Sequence, residues 1–285
     1  MKPGTVFYKM TGSGNDFVMF DGRYVKAQDL TAAAIVAICD RRLGIGADGV
    51  AVLEPPAANQ AGVHFAFRFW NRDGSPGPMC GNGALCATRL AGVLELVAAG
   101  EEVRFSTPAG IHRGRVVEGD SEIWLPDCAA PLAVPAVKTV AGEEGPMLAR
   151  PSVPPLVLRV KDVDRVPLED RGPPLRRDPA LGEGGANVNW VAPKGDGTWT
   201  YRTFERGVEG ETLACGTGAV ACALVLAGEK LVQPPVKLWT RSGLPLVVNW
   251  DQTPSGVSSL RLRGEGRVVY RGILGHLVNQ ALPTE

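Results

Sequence analysis

Met79-Cys80-Gly81-Asn82-Gly83-Ala84 has a second copy later in the chain, Ala214-Cys215-Gly216-Thr217-Gly218-Ala219. Both read Cys-Gly-x-Gly-Ala. Both run into an apolar, alanine-rich segment, Leu85 to Leu96 and Val220 to Leu231. Glycines ahead of a helical pattern let the backbone turn sharply and expose its N–H groups. Those groups carry partial positive charge and suit an anion such as a carboxylate. A cysteine in that field is primed, because thiolate is favoured over thiol. An ordinary thiol has a pKa of about 8.5, and a fall of about one unit populates thiolate well at neutral pH.

The approaches to the two cysteines also match. Phe65 to Trp70 is apolar and aromatic, and ends in Asn71-Arg72-Asp73-Gly74 before Cys80. Thr200 to Phe204 ends in Glu205-Arg206-Gly207 before Cys215. The order strand, polar turn, loop, Cys-Gly-x-Gly, helix therefore occurs twice. Two related domains are expected, each presenting one thiol. A single thiol makes a nucleophile. Two thiols from facing domains suggest an acid and a base on opposite sides of one carbon.

The 285 residues suit one large domain or two of ordinary size. Hydrophobic residues make up 45% and charged residues 21%, as in ordinary globular chains. Lys plus Arg and Asp plus Glu balance at 30 each, so no basic field points to nucleic acid or a membrane surface. Met1 to Phe20 has no signal-peptide core, and no stretch is long enough to span a bilayer. A cytoplasmic protein with reduced thiols is expected. The six cysteines form no Cys-x-x-Cys pair and there are only three histidines, so a zinc site is disfavoured. Cys39, Cys86, Cys128 and Cys222 read as small buried hydrophobes, because nothing nearby in sequence activates them. His64, His112 and His276 receive no role.

In chain order, Val6 to Lys9 and Phe17 to Phe20 read as strands around the turn-rich Thr11-Gly12-Ser13-Gly14-Asn15-Asp16. Thr31 to Arg41 has helical periodicity with a threonine cap. Asp48, in Gly46-Ala47-Asp48-Gly49, reads as a turn residue or as one lining a site, with the turn favoured from chemistry alone. Val50 to Leu53, Val63 to Trp70, Val103 to Ser106, Ile111 to Val117 and Ile123 to Leu125 are further strands. Eleven of the 23 prolines fall between Pro126 and Pro179, which disfavours long helices there. Leu156 to Val160 and Val188 to Val191 are strands, and Gly195-Asp196-Gly197 turns a hairpin into Trp199 to Phe204. Four more short strands lie beyond the second helix, from Val236 to Ile273. Many short strands about one central helix per half give an α+β architecture of two curved mixed sheets, each wrapped about its helix. The expected domains are residues 1–127, with 270–285 packing back on them, and residues 128–269.

Laid out this way, the chain resembles the diaminopimelate epimerases of bacterial lysine biosynthesis. The matching residues run nearly end to end. They include Lys9-Met10-x-Gly12-x-Gly14-Asn15-Asp16-Phe17, Asp40-Arg41-x-x-Gly44-x-Gly46-x-Asp48, Asn71-x-Asp73-Gly74-Ser75 and both cysteine motifs. Ala186-Asn187-Val188-Asn189 and Glu205-Arg206-Gly207-x-x-x-Glu211-Thr212-Leu213 extend them. The resemblance implies two pseudo-symmetric domains with the active site in the cleft between them. It also implies a homodimer, an amino acid substrate, and no pyridoxal phosphate, metal or other cofactor. Cys80 and Cys215 would be the proton-transfer pair of an isomerase, one removing the α-proton and the other returning a proton from the opposite face. Asn15, Asn71, Asn187, Glu205 and Arg206 would contact substrate, with backbone donors from Gly81-Asn82 and Gly216-Thr217.

The chain departs from the family's pattern in places. A Pro-His pair is usual before the second domain's core, where this chain has Val153-Pro154-Pro155-Leu156, with Pro155 in place of the histidine. Val153 stands where many members have asparagine, and Leu85 replaces a frequent arginine. Glu209 lies in a turn that is a residue shorter in many relatives. Two alternatives stay open at the level of sequence. One is a cofactor-independent racemase of another amino acid; the other is a binding protein that has lost the chemistry.

Overall fold

The computed structural model describes residues 1–98, 100–149, 155–254 and 256–277. The chain divides into two compact units, Met1–Ile123 with Glu265–Glu285, and Trp124–Gly264. The first runs β1 (Val6–Gly12), β2 (Asn15–Asp21), α1 (Ala32–Cys39), β3 (Gly49–Glu54), β4 (Phe65–Asn71), β5 (Pro76–Gly77), α2 (Gly81–Val93), β6 (Val103–Thr107), β7 (Gly110–Val117) and β8 (Asp120–Trp124). The second runs β9 (Cys128–Ala129), β10 (Leu132–Ala133), β11 (Glu144–Leu148), β12 (Pro155–Arg159), α3 (Leu168–Arg176), β13 (Asn187–Pro193), β14 (Trp199–Glu205), β15 (Gly210–Thr212), α4 (Gly216–Gly228), β16 (Val236–Trp239), β17 (Pro245–Thr253) and β18 (Gly256–Gly264). A last strand, β19 (Arg267–Ile273), belongs to the first unit. The part of the expected terminal segment beyond residue 277 lies outside the described residues.

One pattern of pairing is built in both units. In the first, β1–β2 is antiparallel, β2–β3 parallel, β3–β4 antiparallel, β4–β6 parallel, and β6–β7 and β7–β8 antiparallel. In the second, β11–β12, β12–β13, β13–β14, β14–β16, β16–β17 and β17–β18 repeat that series in the same order. Short β5 and β15 sit antiparallel on β4 and β14. Added strands extend each series, β19 on β1 and β10 on β11. α1 and α3 join the first parallel pair of each unit, while α2 and α4 join the second.

Each sheet carries a helix on both faces, which decides its sequence. In β3, Val50 and Val52 join a cluster with Ile35 and Ile38 of α1. The alternate residues Ala51 and Leu53 point to the other face and are buried as well. In β13, Val188, Trp190 and Ala192 pack with Leu168 and Leu175 of α3. Asn187 and Asn189 therefore share the opposite face, toward α4. A strand covered on both faces loses the apolar–polar alternation of a half-exposed one. α2 and α4 are apolar nearly all round and buried along most of their length, as helices enclosed by sheet must be. α2 packs on β1, β2, β3, β4, β7 and β19, and α4 on β12, β13, β14, β16 and β17.

The proline-rich stretch does hold one helix. α3 is nine residues long, with Pro173 and Pro174 inside it. Two missing N–H donors keep such a helix short. It is retained by burial of Leu168, Gly172 and Leu175, and a Cβ on Gly172 would stand 2.2 Å from the Phe204 ring.

Ser13 and Gly14, both at positive φ, turn β1 into β2. Gly12 is required for a different reason. A Cβ there would lie 2.6 Å from the backbone oxygen of Asn82 and 3.0 Å from the Cys86 sulfur. The hairpin thus presses against the first turns of α2. Asp16, beside its turn, accepts from Lys9 at 2.6 Å and from both terminal nitrogens of Arg41 at 3.0 and 2.8 Å. Lys9 also donates to the Gly46 carbonyl. Burial alone would raise the Asp16 carboxyl, but hydrogen bonds from Arg41 and Lys9 outweigh it and hold the pKa below the ordinary value.

Gly12→Ala is expected to cost about 2 kcal/mol of unfolding free energy through overpacking against α2. Gly92→Ala, on the exposed side of α2 with open space around its Cβ position, should be neutral or stabilising by up to about 1 kcal/mol. Urea titration of both variants tests the contrast, and equal losses would refute it. The folded pKa of Asp16 lies below its unfolded value of about 3.9, so its stabilisation is present above that pH and fades as pH falls through the folded value. Asp16→Asn should be less stable than wild type near neutrality and lose less stability on acidification. Parallel acid-unfolding curves for the two proteins would contradict this.

Candidate active site

Cys80 and Cys215 occupy equivalent places. Each is the N-cap residue of its central helix, with extended backbone: φ −133°, ψ 118° for Cys80 and φ −131°, ψ 111° for Cys215. Each Sγ accepts from the N–H three residues on, Gly83 or Gly218, at 3.4 Å. The sulfur thus does what a serine or aspartate oxygen does at an ordinary N-cap. Glycine at the donor position leaves room for the neighbours of the first turn: a Cβ on Gly83 would meet the Phe67 ring tip at 3.3 Å, and one on Gly218 would lie 2.2 Å from Oδ1 of Asn189. The helices begin directly at Gly81 and Gly216, so the glycines form the first turn rather than preceding it. Gly81, Asn82, Gly216 and Thr217 supply N–H groups at the positive end of each helix dipole.

Around Cys80, Asn82 donates to Oδ1 of Asn15 at 2.8 Å, and Asn15 donates through Nδ2 to Asp48 at 3.1 Å. Asp48 also accepts from Arg41 at 2.7 Å and from the Asp16 backbone N–H at 3.3 Å. It fixes which way the Asn15 amide faces, a role beyond the turn residue favoured from sequence. Asn71 stands apart from this group, at the exposed end of β4. Its side-chain amide donates to Ser75 Oγ at 3.0 Å, and its backbone carbonyl accepts from the Gly74 N–H at 3.0 Å.

Around Cys215, Asn187 donates from Nδ2 to the sulfur at 3.8 Å and accepts on Oδ1 from the Arg206 N–H at 2.9 Å. One amide therefore ties the thiol to the Glu205-Arg206 turn. Thr217 Oγ1 lies 3.4 Å from the sulfur. The Arg206 side chain donates to the Gly184 carbonyl at 3.2 Å. Asn189, below the helix, accepts from Thr203 at 2.7 Å and donates to the Leu156 carbonyl at 3.0 Å. Cys215 is 4% exposed, whereas Cys80 is half-buried. Pro155 pairs with Asn187 in the β12–β13 register, so this strand position beside the thiol's partner carries no titratable group. Val153 and Pro154 lie outside the described residues.

The other cysteines differ in kind. Burial pushes the Cys39 thiol up to about 12, and pushes Cys86 and Cys222 well above their ordinary value. Cys128 is buried and donates to the Ala129 carbonyl at 3.3 Å. Sequence reasoning missed Tyr201, whose hydroxyl bonds both backbone groups of Cys215, at 2.9 and 3.2 Å. Its signal was only that of an aromatic residue in a strand.

Among solved structures the fold is similar to a PhzF-family phenazine biosynthesis protein of Bacillus anthracis, with a TM-score of 0.72 at 14% identity over 96% of this chain and 99% of that one. It is also similar to a hydroxyproline epimerase of Agrobacterium vitis, with a TM-score of 0.63 at 13% identity over 95% of this chain and 92% of that one. At such identities the likeness concerns the fold alone. In sequence, the chain is 44% identical to the diaminopimelate epimerase of Gemmatimonas aurantiaca, covering 95% of this chain and 99% of the relative. It is 37% identical to that of Aquifex aeolicus over 95% and 98%. Residues 7–123 and 149–259 match the family model for diaminopimelate epimerase, and on that agreement across both units the chain belongs to the diaminopimelate epimerase family.

Proposed function

We propose that the protein interconverts LL- and meso-diaminopimelate by proton exchange at one α-carbon, with Cys80 and Cys215 as the two proton-transfer groups. The observation that carries this is the repeated cap: in each unit a cysteine opens a buried helix and takes a hydrogen bond from its first turn. That geometry favours a thiolate, the form able to act as base. One thiolate takes the α-proton and becomes a thiol. The carbanion then takes a proton from the other thiol on its opposite face, which becomes the thiolate. No proton is consumed, and the two sulfurs exchange protonation states in each turnover.

An α-carbanion beside a carboxylate is costly in water. First-turn N–H groups of Gly81, Asn82, Gly216 and Thr217 would offset that cost by meeting the charge with fixed dipoles. Asn15, Asn71, Asn187, Glu205 and Arg206 would hold the remaining carboxylate and ammonium groups. Asn187 fits a double role, since it reaches both the sulfur and the Arg206 backbone. We also infer a cytoplasmic homodimer. The support is that Val269, Tyr270 and Ile273 are exposed apolar residues of β19, which a second copy would cover. Sedimentation at micromolar concentration as a single-chain species would remove the dimer from the proposal.

Purified protein should exchange the α-proton of LL- or meso-diaminopimelate for deuterium with no added cofactor, read by NMR in D₂O. Exchange confined to a different amino acid would replace the substrate. Absence of exchange with any amino acid, from a folded sample that binds one, would replace the activity. Cys80→Ala and Cys215→Ala should each lower epimerisation by at least about 100-fold with the fold intact, because neither thiol can serve both faces. Retention of a tenth of wild-type turnover by either variant would rule out the two-base scheme.

A further inference from the structure

The two thiols are not supported alike, and the difference lies beneath the second one. Phe65 and Trp199 open the equivalent parallel pairings of β4 with β6 and β14 with β16. Two residues further on stand Phe67 and Tyr201. The Phe67 ring tip lies under the first turn of α2, 3.3 Å from where a Cβ on Gly83 would be. Tyr201, 2% exposed, occupies the matching place under α4 and adds a hydroxyl. That hydroxyl donates to the Cys215 carbonyl at 2.9 Å and accepts from the Cys215 N–H at 3.2 Å. The same carbonyl accepts the first helical bond, from Ala219 at 2.9 Å. Its two lone pairs and the residue's N–H are therefore all engaged, and three contacts fix the peptide planes on either side of Cys215.

We propose that Tyr201 is a positioning residue for Cys215, which by holding both backbone groups of the cap keeps Sγ on the Gly218 N–H and so sets the proton affinity of this thiol. The proposal rests on Cys215 being one of the two proton-transfer groups. Its physical basis is that an N-cap side chain reaches the third N–H only within a narrow range of cap φ and ψ. Asn187 and Thr217 hold the sulfur from the side-chain end, and Tyr201 holds it from the backbone end. Burial raises the Tyr201 pKa well above the ordinary value, and the neighbouring Cys215 charge acts in the same direction. The hydroxyl therefore stays protonated and keeps its donor. The other titratable groups acting on it are Cys222 of α4 and Glu205 of its own strand, and neither changes in the test below. At the Pro155 position beside Asn187 there is no ionisable side chain to take over this tuning.

The test is Tyr201→Phe in the full-length protein, with the thiolate read by ultraviolet absorbance against pH. A Cys80→Ala background, less the Cys80→Ala/Cys215→Ala signal, isolates Cys215. A Cys215→Ala background isolates Cys80. The Cys215 midpoint should rise by about half a unit or more while the Cys80 midpoint stays in place. In the otherwise wild-type enzyme, kcat should fall about tenfold with KM within about twofold, the pattern of an interaction lost in the transition state. An unmoved Cys215 midpoint, or equal movement of both thiols, overturns the proposal. The thiolate readout needs no substrate, so a wrong substrate would leave it standing. If Tyr201→Phe does not fold, 3-fluorotyrosine at position 201 keeps the ring and weakens the hydroxyl as an acceptor. A Cys215 midpoint that does not respond to it overturns the proposal equally.

Discussion

Everything at the site depends on a sulfur standing where helices ordinarily place an oxygen. A cysteine is a weak hydrogen-bond acceptor as a thiol and a good one as a thiolate, so the cap is strongest in the charged state. Helix and anion therefore support each other. The requirement propagates outward through close approach: with glycine at the donor positions, other groups press against the first turn of each helix. In the first unit the neighbour is the β1–β2 hairpin at Gly12; in the second it is Asn189, anchored by Thr203 and Leu156. Asn189, buried this deeply, is tolerated because both ends of its amide are bonded.

The sequence revealed the repeated cap, the central helices and most strands because these follow local rules. Cysteine and glycine sit at fixed offsets ahead of an apolar run, and Thr31 caps α1 through the Ala34 N–H as its position suggests. What stayed hidden is non-local. Asp48 looked like a turn residue because its partners, Asn15 and Arg41, come from β2 and from the end of α1. Tyr201 looked like any strand aromatic because its hydroxyl closes on a backbone that only the fold brings near. α3 was obscured by its two prolines, and tertiary burial overrides that local preference. The shared pairing series of the two units was also beyond the sequence, since β3 and β13, covered on both faces, lack the alternation that marks a register.

Equivalent frames have been given different linings. At matching register positions, Gly49 of β3 faces Asn71 of β4, while β13 begins with Asn187 and β14 ends with Glu205. The first unit orients its polar groups through Asn15, Asp48 and Arg41, drawn from the hairpin side. The second does so through Asn187, close to the sulfur itself. A reaction that inverts one carbon handles two mirror-related faces, and the rest of the substrate has no such symmetry. Similar backbones with unlike side chains answer both demands.

The placement of β19 has a consequence for how the protein is made. β1, near the start of the chain, is flanked on one side by β2 and on the other by β19, and Leu274 and Leu277 belong to the first unit's core. A ribosome must therefore deliver the whole second unit, and β19 after it, before the first unit can be completed. The second unit is contiguous and has all its strands earlier. The usual order of synthesis, in which the leading domain folds first, is inverted here. During that interval β1 presents an unpaired edge, a setting in which strands add to the wrong partner. The slow, long-range closure by β19 is thus the step at which a chaperone would have most to protect.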